Sequence, residues 1–142
     1  MRSAPDVPAI PTDVAKALAR FPDPIRAELL AVRRLIFAVA AQTVGVGSLT
    51  ETLKWGEPAY LTAATGSGST IRLGIPKSPE GRGAIFFNCR TGLVETFREQ
   101  FPDFTYQGNR AILIAPSVPL PHEQLAICLA MALTYHHRRR GG

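Results

Sequence analysis

The sequence predicts an α+β domain: one antiparallel sheet of about five strands, helices packed mainly on one face, in the order ααβββαββα. Three observations predict it. Ile25, Leu29, Val32, Ile36 and Val39 recur at spacings of 4, 3, 4 and 3, which is one face of an amphipathic helix. Ile71, Leu73 and Ile75 alternate with Thr70, Arg72 and Gly74, the period of a half-buried strand. The strand-like stretches are joined by short, glycine-bearing loops, as antiparallel neighbours are. At 142 residues and 46% apolar content the chain can bury one core without metal or disulfide.

Residues 1–11 carry Pro5, Pro8 and Pro11 without periodicity and read as a flexible arm. Residues 12–137 read as one domain and 138–142 as a basic tail. Thr12 can cap a short helix over 13–20. "FPDP" breaks it, and Asp23 with Pro24 opens the long helix, which stops near Gln42 ahead of Gly45 and Gly47. Arg26, Arg33 and Arg34 are expected on its wet side. "SLTE" (Ser48–Glu51) fits a capping box and predicts a single helical turn over 49–53. Strands are expected over 59–64, 70–75 and 84–88, the first two joined by the "TGSGS" loop. Leu93, Val94, Phe97 and Phe101 form the stripe of a helix over 92–101, capped by Thr91. A hairpin turns at Gly108-Asn109. Pro121 opens a last helix, apolar nearly all round from Leu125 to Leu133 and therefore buried.

Charge and motifs narrow the function classes. The formal charge is +5, but Arg138, Arg139 and Arg140 supply three of those charges, and the rest of the chain is nearly balanced. A specific nucleic-acid partner needs a basic face rather than a basic end. The start is polar and Pro-rich with no secretory h-region, and the run Leu35–Ala41 is too short to span a bilayer, so a cytoplasmic protein with reduced Cys89 and Cys128 is expected. No Walker A, Rossmann fingerprint or CxxC occurs, and "GSGS" lacks the lysine of a phosphate loop.

"LKWGEPAY" (Leu53–Tyr60) holds the sole tryptophan, Trp55. Its ring can anchor the core, its N–H finding a carbonyl, or it can wall a pocket with Glu57 and Tyr60 as polar neighbours. Pro58 keeps Glu57 extended. Arg72, Asn88 and Arg90 form a second candidate: on a helix-free sheet face they would hold a carboxylate or phosphate, because a guanidinium fork suits planar anions. The plainer alternative is a solvated face.

Cys89, ahead of a helix start and beside Arg90, has the setting of a lowered thiol pKa, but no histidine lies near it in sequence to act as base. Cys128 reads as an inert core thiol. His136 and His137 point about 100° apart on a helix, and His122 is roughly 21 Å from His136 along a straight helix, so one chain does not bring them to one ion. Glu95 and Glu99, with Asp103, are the close carboxylates, interrupted by Arg98, and read as a solvated face. No catalytic or metal set is complete.

The pattern "ETLKWGEPAY", "TIRLGIP", "AIFFN", "F.YQGNRAILI" and a closing helix resembles the YdhG-like family, domain of unknown function 1801, over roughly residues 20–135. Glu51, Trp55, Gly56 and Pro58 carry its most specific part. The resemblance implies a compact α+β domain related in shape to frataxin and, for some members, a link to intracellular iron handling; it implies no catalytic residues. Iron is thus a possible cofactor by resemblance only. The first two helices here carry Asp13, Asp23 and Glu28 against Lys16, Arg20, Arg26, Arg33 and Arg34, a balance that disfavours a dication. The expected function is a non-catalytic module that binds a small molecule or protein through the sheet face and the Trp55 turn, with Trp55, Glu57, Tyr60, Arg72, Asn88 and Arg90 as its residues. An iron carrier and a Cys89-dependent enzyme are the alternatives, and the oligomeric state stays open.

Overall fold

The computed structural model describes residues 7–140, without the side chains of 138–140. The expected arm falls outside these residues at positions 1–6, as does the expected tail at 141–142. The elements are α1 (Thr12–Ala19), α2 (Asp23–Gln42), β1 (Thr50–Lys54), β2 (Glu57–Leu61), β3 (Ile71–Gly74), β4 (Gly83–Phe87), α3 (Leu93–Gln100), β5 (Thr105–Gln107), β6 (Ala111–Ile114), α4 (His122–Leu133) and α5 (Tyr135–Arg140). All strand pairs are antiparallel, in the order β1-β2-β3-β4-β6-β5. Among the described residues no helix is long and apolar enough to cross a membrane.

The expected architecture is found with one strand, β1, and one short last helix, α5, added. Residues 50–54 form β1, not the helical turn that the Ser48–Glu51 pattern predicts. A capping box is a local signal, and pairing with β2 outweighs it: Thr52 faces Ala59 and Lys54 faces Glu57 in the register. The β-branched Thr50 and Thr52 suit the pleat.

The core fills the space between the sheet and α2, α3 and α4. Ile25, Leu29, Val32 and Ile36 of α2 meet Leu125, Cys128 and Leu129 of α4, Phe97 of α3, and Tyr60, Ile71, Leu73, Ile85 and Ile112 from the strands. Alternation puts Ala84, Phe86, Ala111 and Leu113 in a second cluster on the other side of the sheet. α1 packs against β1 and β2.

Arg33 belongs to this interior and not to the wet side of α2. Its fork meets Glu51 of β1 with two hydrogen bonds, Nε to Oε2 at 2.6 Å and Nη2 to Oε1 at 2.9 Å, and both side chains are 5% exposed. Tyr60 of β2 donates its hydroxyl to Glu51 Oε2 at 2.9 Å, and Arg33 Nη2 also donates to the Pro8 carbonyl at 2.7 Å. Phe37 stacks under the guanidinium and edge-on to Tyr60. The hydrogen bond to Glu51 raises the Arg33 pKa, against the opposing effect of burial. Burial and the Glu51 charge push the Tyr60 phenol far up, so it stays a donor.

The "TGSGS" loop docks on the end of α4. Ser67 Oγ donates to the Leu133 carbonyl at 2.7 Å and Ser69 N–H to that of Ala132 at 2.8 Å. The Ser67 carbonyl in turn accepts from the N–H groups of His136 and His137. Carbonyls left over at a helix end need such partners. Gly68 makes the approach possible: a Cβ there would lie 2.4 Å from the Leu133 carbonyl group.

Two substitutions test these contacts. Gly68→Ala is expected to cost about 1–3 kcal/mol as an overpacked contact, read as a lower urea midpoint at unchanged m. Glu51→Ala, which strands Arg33 and the Tyr60 hydroxyl, is expected to cost about 3–5 kcal/mol, whereas the apolar pair Arg33→Met with Glu51→Leu loses far less; denaturant unfolding of the single and paired variants checks this.

Candidate functional site

The face turned away from α2, α3 and α4 carries the charged residues. Glu57 of β2 and Arg72 of β3 point there, one register step from Ala59, which faces Arg72. Their side chains form an ion pair, each 24% exposed. Gly74 lacks a side chain where Glu57 lies; a Cβ there would meet its carboxylate. Arg72 and Arg110 both rest on the ring of Phe86, each guanidinium carbon 5.3 Å from the centroid. Phe86 is 4% exposed, so the two arginines cover an apolar ring with their own planar groups.

The β1–β2 hairpin borders the same area. Its two-residue turn is Trp55-Gly56, with φ 55° and 76°, the left-handed pair of a type I′ turn. Trp55 is therefore not a core anchor: it stands at the hairpin tip, 89% exposed. At the other end of β4, Phe87 N–H donates to the Arg110 carbonyl at 2.7 Å, which ties the β4 end to the β5–β6 turn. Asn88 and Cys89 thus come beside Asn109 and Arg110. Together with Lys54, Trp55 and Arg72 they line one cavity of about 490 Å³.

Of the six residues expected to bind, Trp55, Arg72 and Asn88 line this cavity. Glu57 sits behind Arg72 as its counterion. Tyr60 is fully buried on the opposite face, held in the Arg33–Glu51 network. Arg90 is exposed in the short 3-10 turn Cys89–Thr91, where its N–H is held by the Asn88 side chain at 2.9 Å, and it does not line the cavity. Lys54, Asn109 and Arg110 were not expected there. Lys54 ends β1, and the helical turn expected over 49–53 leaves no strand there to aim it at this face. Arg110 follows the Gly108-Asn109 turn, a position that shows a turn in the sequence but not which face it serves.

Burial raises the Glu57 carboxyl above its ordinary 4.5, and the charges of Arg72 and Arg110 pull it back down. Cys89 is an exposed thiol on the cavity wall, and among the described residues no histidine or carboxylate lines that wall. Cys128 is buried, which pushes its thiol up to about 12. Glu95, Glu99 and Asp103 are all exposed. Among the described residues no three His, Cys, Asp or Glu side chains gather as a metal site.

The raised Glu57 carboxyl ties the stability of the fold to pH. A carboxyl whose folded pKa lies above the unfolded one adds stability that is fully present below about 4.5 and lost as pH rises through the raised value. Unfolding free energy of Glu57→Gln, measured against wild type from pH 4 to 7, is expected to lack that part of the slope.

No family model matches the sequence, and no curated protein does. A solved structure does: a protein of the DUF1801 family, YdhG of Bacillus subtilis, at TM-score 0.56 and 18% identity, over 85% of this chain and 89% of that one. Likeness at this identity speaks to the fold. The YdhG-like resemblance read from the sequence is therefore matched in three dimensions, and this chain has the fold of a DUF1801 protein.

Proposed function

We propose that the chain is a non-catalytic binding module that holds a small organic anion, carboxylate or phosphate, in the cavity beside Trp55. The observation that supports this is the charge of the wall. Lys54, Arg72 and Arg110 converge there with no lining carboxylate. Two other cavities among the described residues are balanced: one of about 330 Å³ has Arg82 with Asp103, and one of about 420 Å³ has Lys77 with Glu80. Cationic clefts with apolar walls concentrate anions, and guanidinium forks bind them with direction. A volume of about 490 Å³ suits a small molecule. A cytoplasmic setting is part of the proposal, supported by the exposed free thiol of Cys89.

Glu57 acts as a resident counterion. It occupies Arg72 when the cavity is empty and releases it to an incoming anion at some cost. Protonating Glu57 removes that competition. Sulfate, whose charge is constant from pH 4 to 7, is therefore expected to bind more tightly as pH falls through the Glu57 titration. In Glu57→Gln it binds more tightly at pH 7 and with a flat pH profile. Calorimetric titration reads both. Arg72→Met with Arg110→Met is expected to weaken sulfate at least tenfold, at about 1.5–3 kcal/mol for each charged hydrogen bond removed. Sulfate affinity indifferent to both arginines sinks the proposal.

A further inference from the structure

We propose that the anion bound here carries a flat, nucleobase-sized aromatic ring that stacks on Trp55. This rests on the anion-site reading above and goes beyond it by assigning the rest of the ligand. Trp55 is the one non-glycine residue with positive φ among the described residues. The first central position of a type I′ turn favours Asn, Asp or Gly, so a tryptophan there strains the backbone. Strain of this kind is ordinarily offset by packing, yet the ring is 89% exposed. Neither turn geometry nor core burial accounts for the residue. What its position does supply is an open indole on the wall that holds Arg72 and Arg110.

The remaining wall fits such a ligand. An exposed indole face is a stacking platform for any flat ring. Asn88 and Asn109 line the same wall; Asn88 Oδ1 already accepts from the Arg90 N–H, which leaves its amide N–H groups as donors, and a carboxamide suits the edge of a nucleobase. Arg72, Arg110 and Lys54 then take the phosphate. The ligand is a free small molecule and not a single strand. Binders of single strands stack successive bases on successive rings, and Trp55 is the only aromatic among the large apolar side chains exposed on the described surface.

Trp55 is also the sole tryptophan, so tryptophan fluorescence, excited at the red edge where the three tyrosines do not absorb, reports this site alone. Adenosine 5′-monophosphate is expected to quench it saturably. By calorimetry it is expected to bind at least tenfold more tightly than ribose 5-phosphate. Trp55→Asn relieves the turn, so it should melt no lower than wild type. It is expected to bring adenosine monophosphate down to the affinity of ribose 5-phosphate, whose own binding stays unchanged. Trp55→Phe keeps most of the difference. Equal affinities of the two phosphates in wild type, or an unchanged adenosine monophosphate affinity in Trp55→Asn, overturn the stacking inference and leave the anion site standing. If neither phosphate nor sulfate binds, the anion site fails and this inference with it. Affinity for oligoadenylate that climbs with length, beyond that for the mononucleotide, overturns the assignment to a free small molecule.

Discussion

The buried pair of Arg33 and Glu51 is the joint on which the rest of the molecule hangs. It links α2 to the edge strand β1, takes in β2 through Tyr60, and holds the chain ahead of α1 through the Pro8 carbonyl. No single partner could satisfy these groups. A guanidinium has five donors and a carboxylate about four acceptor sites, and here most of them are engaged by one another, a phenol and a carbonyl, with no buried side-chain polar atom among the described residues left without a partner. Two charges withdrawn from water are costly unless geometry is good and the remaining sites are filled. With the fork engaged at both nitrogens, the hairpin of β1 and β2 has a fixed place against α2. That place sets where the hairpin tip, and so Trp55, comes to rest.

The two faces of the sheet solve the problem of charge in opposite ways. On the side of α2 a complete network is sealed from solvent. On the other side Glu57, Arg72 and Arg110 are arranged around Phe86 with an excess of positive charge and partial access to water. The excess makes the second face responsive where the first is fixed. The same residue type serves both ends: arginine is never neutralised by burial in a protein, so it can be locked in a core or left waiting at a surface.

The helices were legible because their signals are repetitive. Five apolar residues at helical spacing place the long helix within a residue or two of Asp23–Gln42. β3 was legible for the same reason, and its alternation put Arg72 on the correct side. β1 was not, because Ser48 and Glu51 satisfy a local helix-start pattern while Glu51 is recruited across the molecule by Arg33. A reader weighing Thr50–Lys54 and Glu57–Leu61 as two alternating runs around a two-residue Trp-Gly turn would have found the hairpin. Trp in place of Asn is what disguised it. Half of the candidate site could be seen in advance: Trp55, Arg72 and Asn88 stood out by type and position. Arg110 and Lys54 join them only through sheet register and a loop-to-strand hydrogen bond, neither of which is written in local sequence.

The docking of Ser67 onto Leu133 spans 66 positions of chain. Strands β1 to β4 pair with their neighbours in sequence and can zip together as they leave the ribosome. Their inward apolar face has no such local partner in α4, whose residues 122–133 are made well after those strands. Contacts of long sequence separation form slowly, and half-built sheets expose sticky surface meanwhile. The β2–β3 loop is therefore a clasp that shuts only once α4 has been made, and the nascent sheet must be kept from its neighbours until then.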